Sequence, residues 1–329
     1  MRKNWKGAAA VFAALAALTL VLSACSTAST SSTGTAGSST AASSAKGPII
    51  VGSKIDGEGV LLGQIILQTL QANGFKVEDK TRTGATQVVR GALLNKQIDV
   101  YPEYTANGPL VFHSNVKVDP SVLQSATLTY DTAKSEDSTV GVTWLDAAPA
   151  NNTWAVAVPK AFADANGLKS LTDLAAYINK GGTFKIVGSQ EFFTSAVAFP
   201  AFEKAYGFTI KPNQQIALGT GDTAVTEKAA AQGSQGANAA MAYGTDGTIS
   251  ALNLVVLDDP KGAQPIYQPA PTFRTEVIAK YPEIAGILNP VFAKLDFVTL
   301  QQLNKQVGVD GKSPKDVAAA WLKAQGFVQ

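Results

Sequence analysis

One histidine and one cysteine, His113 and Cys25, are the only imidazole and thiol in a chain of 329 residues. A structural or catalytic zinc site draws on several such ligands, so no metal set of that kind can be assembled. A Ser-His-Asp triad would have to use His113, and no G-x-S-x-G elbow accompanies it. In "VFHSN", beside an apolar run, His113 reads as a structural residue. There is no P-loop. "GEGVLLG", with glycines at 57, 59 and 63, is one residue too long for the dinucleotide fingerprint, and no acidic residue follows about twenty positions on at a strand end. That segment reads instead as a turn into a helix whose first N–H groups could face an anion. A lone cysteine excludes an internal disulfide. These absences speak against an enzyme and call for no metal and no cofactor.

Charge is also sparse, at 16% of residues, and nearly balanced at +2. Arg2, Lys3 and Lys6 all lie in the first 24 residues, which hold no acid, and without them the balance is −1. A body so close to neutral gives no reason to expect nucleic acid as a partner.

What is present begins at the N-terminus. The three basic residues precede "GAAAVFAALAALTLVL", an apolar run short of the roughly 20 residues a spanning helix needs. "LSAC" follows, and a cysteine behind Leu-Ser-Ala at the end of such a run resembles a bacterial lipobox. The resemblance implies a signal peptide over residues 1–24, cleavage before Cys25 and a lipid on its thiol. Residues 26–46, "STASTSSTGTAGSSTAASSAK", contain no large apolar side chain to bury. Residues 25–47 are therefore expected to form a disordered tether, reaching about 25 Å on average if they behave as a flexible coil.

From residue 48 the pattern alternates. "PIIVGS", "KVEDKTR" and "IDVYPEY" read as strands, separated by helical patterns in "EGVLLGQIILQTLQANGF" and "TQVVRGALLNKQ". Strand candidates continue through "STVGVTWL", "TWAVAVPKAF", "FKIVGS", "QQIALGT", "NAAMAYGT" and "LNLVVLDD". The tail, "IAGILNPVFAKL", "FVTLQQLNKQV" and "SPKDVAAAWLKAQGF", is helical. The sequence predicts an α/β protein with mostly parallel sheet and a C-terminal helical segment, long enough for two lobes. Ligands of open α/β sheets bind beyond the carboxyl ends of strands. Four loops fall there: "GSKIDGEG", "YPEYTANG", "GSQEFFTS" and "AYGTDG".

Aromatic residues gather in or near these loops: Tyr101 and Tyr104, Trp154 after "NNT", Phe192 and Phe193, and Tyr243. Faces of Trp and Tyr attract cations, at about 2 kcal/mol or more per contact when the cation is desolvated. A quaternary ammonium has no N–H to donate, so π faces are its main anchor. The competing reading is that single aromatics on α/β strands belong to the core or rim, and composition does not choose between the two.

The blocks "VGSKIDGEGVLLGQIILQTLQANG", "QVVRGALLNKQIDVYPEYTANG", "WLDAAPANNTWAVAV", "QEFFTS…FPAFEKAYGF" and "MAYGTDG…LVVLDD" together resemble the substrate-binding proteins of osmoprotectant ABC transporters, which bind glycine betaine, choline, carnitine and related compounds. The likeness runs over essentially all of residues 48–329. It implies a two-lobed, Venus-flytrap periplasmic-binding-protein fold of type II. One lobe would comprise residues 48–150 with 246–329 and the other 151–245, with crossings near Asn151 and near Tyr243 to Gly247. It further implies that Tyr104, Trp154 and Tyr243 wall a cation cage, that Lys54 holds a ligand carboxylate, that Asn107 stands at a hydroxyl position and that Asn152 contacts the cation. Tyr101, Thr105 and Thr194 flank these as further candidates. Two positions depart from the family. Ser195 stands where an arginine is common, and "DTAVTEKAAA" lacks a fourth cage aromatic. Losing a bidentate arginine removes charge-assisted bonds of roughly 1.5–3 kcal/mol each, so weak betaine binding or a different ligand is open.

Function then reads as follows. The protein is an extracytoplasmic, lipid-anchored, monomeric receptor that captures a quaternary ammonium solute. It passes the solute to an ABC permease with its ATPase and catalyses nothing. A receptor for another small polar solute, or a non-transport surface protein on the same fold, stands as the alternative. Glu103 reads as an orienting group rather than a catalytic acid.

Overall fold

The computed structural model describes residues 46–219 and 222–329. The expected signal peptide, Cys25 and the tether up to residue 45 lie outside the described residues. Lys46 and Gly47, assigned to the tether, open the first strand: Lys46 pairs in register with Phe75 and its ammonium meets Glu283 at 2.5 Å.

Among the described residues, ten strands form two sheets of five. β1 (Lys46–Lys54), β2 (Phe75–Gly84), β3 (Val100–Tyr104) and β4 (Val142–Trp144) share the first sheet with β10 (Pro269–Arg274), in the order β2-β1-β3-β10-β4. β5 (Trp154–Pro159), β6 (Ile186–Ser189), β7 (Gln215–Leu218), β8 (Ala239–Tyr243) and β9 (Leu254–Val256) form the second, in the order β7-β6-β8-β5-β9. The same plan is used twice: three parallel strands, one strand running against them, and an edge strand. The expectation of mostly parallel pairing is thus corrected. β10 and β5 each enter from the other sheet and run antiparallel to both neighbours.

Each sheet carries its own core. Helix Gly57–Ala72 is buried on both sides, with Leu61, Leu62, Ile65, Ile66 and Leu70 inaccessible to solvent. It lies between the first sheet and the tail helices, whose Leu288, Phe292 and Leu322 join the same cluster. Each such side chain contributes about 1.5–3 kcal/mol on burial. The helix starts where Asp56 accepts a bond from the Gly59 N–H at 2.7 Å and stops at Asn73, before Gly74 at positive φ. The second core gathers Val156, Ile186, Phe192, Phe199 and Phe202.

Helix Ala126–Ser138 and strand β10 are among the elements that escaped the sequence reading. Helix Ala126–Ser138 buries only Thr129, Ala133 and Asp137, so it has no apolar stripe to betray it. It overlaps the start of the expected strand at "STVGVTWL". β10 contains Pro269 and Pro271, which argue against a central strand. The sheet accommodates them by register. Pro271 stands opposite Pro102 of β3 and turns its carbonyl to the Leu145 N–H at 2.9 Å, away from β3. Neither proline therefore occupies a position where the β3–β10 ladder needs an N–H.

β9 pairs with β5, so the chain leaves the second sheet between Val256 and Pro269, later than the expected boundary at 246. The two crossings, 145–153 and 257–268, run side by side. The Asn152 N–H donates to Tyr267 O at 2.9 Å, and the Tyr267 N–H to Asn151 Oδ1 at 2.8 Å. Residues 244–247 touch both crossings' surroundings. A Cβ on Gly244 would come 2.4 Å from Asn151 O, and one on Gly247 would come 2.1 Å from the Lys305 nitrogen in helix Phe297–Gly308. Backbone on both sides leaves no room to give. Gly247→Ala should therefore cost about 1–3 kcal/mol, read as a fall in Tm by thermal denaturation. An unchanged Tm would show that this approach is not rigid.

Candidate ligand-binding cleft

The carboxyl ends of β1, β3, β6 and β8 open onto a single cleft of about 1010 Å³. All four loops singled out from the sequence reach it. So do Lys54, Tyr104, Asn107, Asn152, Trp154, Ser195 and Tyr243. Tyr101, Thr105 and Thr194 do not line it. Thr194 is exposed and its hydroxyl donates to Gln190 O. The Thr105 hydroxyl donates to Ile266 O and accepts from the Gln268 N–H, which ties β3 to the second crossing. Phe192 and Phe193 belong to the second core.

The aromatic wall follows from strand pairing. Trp154 of β5 stands opposite Tyr243 of β8, and their rings meet edge to face at 6.1 Å. Phe192 backs Trp154 at 5.3 Å. Tyr267, on the second crossing, joins them in the cleft. Burial, then Tyr243 and Glu103, push its hydroxyl pKa up to about 12, so it stays a neutral donor.

Alternation along β3 separates its two tyrosines. Tyr101 is fully buried, and its hydroxyl donates to Glu103 Oε2 at 2.9 Å. Tyr104 reaches the cleft and donates to Glu58 Oε1 at 2.6 Å. Glu103 itself is inaccessible to solvent. Its Oε1 accepts from Lys54 Nζ at 2.7 Å, the Tyr104 N–H at 2.7 Å and Asn107 Nδ2 at 2.8 Å. The Lys54 ammonium also lies 4.7 Å from the centre of the Tyr104 ring. His113 bonds Asp137, which also takes Arg90 and Trp144 Nε1 in the first lobe, away from the cleft. That is the structural place expected for a lone histidine.

Sequence reasoning missed a carboxyl at the floor. Glu58, in the first turn after β1, accepts from Tyr104 Oη, Asn152 Nδ2 at 3.0 Å and Asn304 Nδ2. The glycine loop does turn into a helix, capped where Asp56 accepts from the Gly59 N–H and with Glu58 inside its first turn. Among the described lining residues, Lys54 is the one base, against Asp56, Glu58, Glu191, Asp222 and Asp246. The glycine-rich spacing around Glu58 is visible in the sequence, but its partner Asn304 comes from a distant, unpatterned part of the chain. Among the described residues no three His, Cys, Asp or Glu side chains are arranged to hold a metal.

A search of family models places residues 47–324 in the substrate-binding domain of ABC-type glycine betaine transport systems. The chain belongs to that family. It is 50% identical over 286 residues to the glycine betaine-binding protein YehZ of Escherichia coli, covering 87% of this chain and 93% of that protein. A solved apo structure of YehZ superposes with a TM-score of 0.80 at 51% identity, covering 85% of this chain and 99% of that one. A glycine-betaine-binding protein of Pseudomonas aeruginosa is 31% identical over 282 residues, covering 83% of this chain and 86% of that protein. The two-lobed periplasmic-binding-protein fold is that of the family.

In this family member, burial raises the Glu58 pKa against the donors around it. Asp246, which lines the cleft, and Glu227 beside it are raised together, first by burial; for Glu227 the negative charge of Asp246 comes next. A carboxyl raised in the folded state binds its proton more tightly there. Its stabilising share is complete below the ordinary value of 4.5 for Glu and is lost as pH climbs toward the raised value. Stability should therefore decline from pH 5 to pH 8, by at most about 1.4 kcal/mol per pH unit per group. Glu227→Gln should raise Tm at pH 8 more than at pH 5 and so narrow the gap. An unchanged gap would mean that Glu227 is not the group responsible.

Proposed function

We propose that this protein is the extracytoplasmic receptor of an ABC importer and that it captures a small quaternary ammonium solute between its lobes. The observation that carries the reading is the cleft itself: Trp154, Tyr243, Tyr104 and Tyr267 stand in it beside five carboxyls and no arginine. Such walls offer π faces and negative charge, the two features that attract a cation lacking N–H groups. Relatives named for glycine betaine support the same class. Lys54, Asn107 and Ser195 would face the polar end of the solute, and Asn152 its cation.

The lobes would be residues 46–150 with 269–329, and residues 151–256, hinged at the paired crossings. Closure would bury the solute, and the closed form would dock on a permease powered by its ATPase. The protein would work as a monomer and catalyse no reaction, since the cleft contains no histidine or cysteine. The N-terminal cysteine motif supports anchoring of Cys25 to the outer face of the cell membrane by lipid.

Calorimetric titration with glycine betaine, choline and carnitine tests the class. At least one should bind, and Trp154→Ala should weaken it by about 30-fold, the equivalent of the roughly 2 kcal/mol that a desolvated cation–π contact supplies. No heat with any of the three would sink the assignment.

A further inference from the structure

Among the described lining residues Lys54 is the one base, and the family resemblance makes it the anchor for a ligand carboxylate. The structure gives its charge another destination. Its side chain is 9% exposed, and its ammonium meets the wholly buried Glu103 at 2.7 Å. Glu103 cannot swing away to release it. Its Oε1 also holds the Tyr104 N–H and Asn107 Nδ2, while its Oε2 holds the Tyr101 hydroxyl. Moving the carboxylate would strand a backbone N–H inside β3 and leave a charge buried without partners. The pair is therefore neutral as seen from the cleft. No second base offsets this, because Ser195 fills the place of the family arginine and every other charged lining residue described is a carboxyl.

We infer that Glu103 is a specificity-positioning residue: by cancelling the Lys54 charge it suppresses recognition of a ligand carboxylate and leaves the cleft selecting for the cationic head alone. The inference rests on the quaternary ammonium reading above and assigns Glu103 a role beyond that of holding β3 together. A purely structural Glu103 would, on substitution, weaken all ligands alike. A charge-cancelling Glu103 acts in opposite directions on ligands with and without a carboxylate.

Glu103→Gln keeps the shape. Its amide oxygen can still accept from Lys54, Tyr104 and Asn107, and its NH2 can donate to the Tyr101 oxygen. Only the negative charge is lost, which frees Lys54 to attract an anion. The ratio of glycine betaine to choline affinity, measured by calorimetry, should shift at least tenfold toward glycine betaine. The double variant Lys54→Gln/Glu103→Gln removes both charges and should return the ratio to within threefold of wild type. A ratio that Glu103→Gln leaves unchanged or moves toward choline overturns the inference. So does a double variant that loses glycine betaine binding tenfold or more relative to choline, because Lys54 would then be an active anchor in the wild-type protein.

A second readout needs no ligand and separates the two claims. If no quaternary ammonium binds the wild-type protein, the functional reading fails. The charge cancellation is still decided by lysine acylation mapped by mass spectrometry. Lys54 should stay at least tenfold less labelled in wild type than in Glu103→Gln, with exposed Lys160 as internal reference. Equal labelling of Lys54 in the two proteins overturns the inference.

Discussion

The paired crossings are the constraint on which everything else depends. Two hydrogen bonds, from the Tyr267 N–H to the Asn151 amide oxygen and from the Asn152 N–H to the Tyr267 carbonyl, tie the outgoing crossing to the returning one. Because those bonds fall between two separate five-stranded sheets, each lobe can keep its own core and still be held at a fixed edge. The geometry also delivers three cleft residues at once. Asn152 turns its amide to Glu58, Trp154 begins β5 two residues later, and Tyr267 sits on the returning chain. Crossings and cleft wall thus share the same few residues.

Electrostatics completes what the backbone arranges. A carboxyl at the helix start, Glu58, is surrounded by a phenol and two amides, so it is oriented without being neutralised by a cation. Lys54 goes the other way and is held by Glu103. The cleft is therefore acidic in character although the chain as a whole is nearly neutral, and net charge gave no hint of it. Asp246 in the cleft and the wholly buried Glu227 behind it add carboxyls whose pKa values are raised by burial and, for Glu227, by the nearby Asp246.

Periodicity made the alternating strands and helices legible, and the rule that α/β ligands lie beyond strand ends picked out the four loops. Seven expected site residues line the cleft: Lys54, Tyr104, Asn107, Ser195 and Tyr243 end or follow strands that the hydrophobic pattern reveals, while Asn152 and Trp154 stand where β5 begins. The failures have equally local causes. Pro269 and Pro271 hid β10, polar burial around Asp137 hid helix Ala126–Ser138, and neither β5 nor β10 announces in sequence that it runs against its neighbours. Thr105 belonged to a motif, but its hydroxyl is spent on the second crossing. Glu58, Tyr267 and Asn304 converge only through tertiary structure, from three segments with no common pattern.

The facing prolines of β3 and β10 have a further consequence. A slip of one residue that turned β10 over would aim the nitrogens of Pro269 and Pro271, which carry no hydrogen, at carbonyls of β3 that need one. The prolines therefore exclude the odd registers of this ladder. Since Glu103 and Tyr104 follow Pro102 directly, the observed alignment also sets how far the carboxylate and the phenol project at the strand's end. Two residues that seem hostile to a sheet act here as its index mark, and the chemistry at the cleft inherits its placement from them.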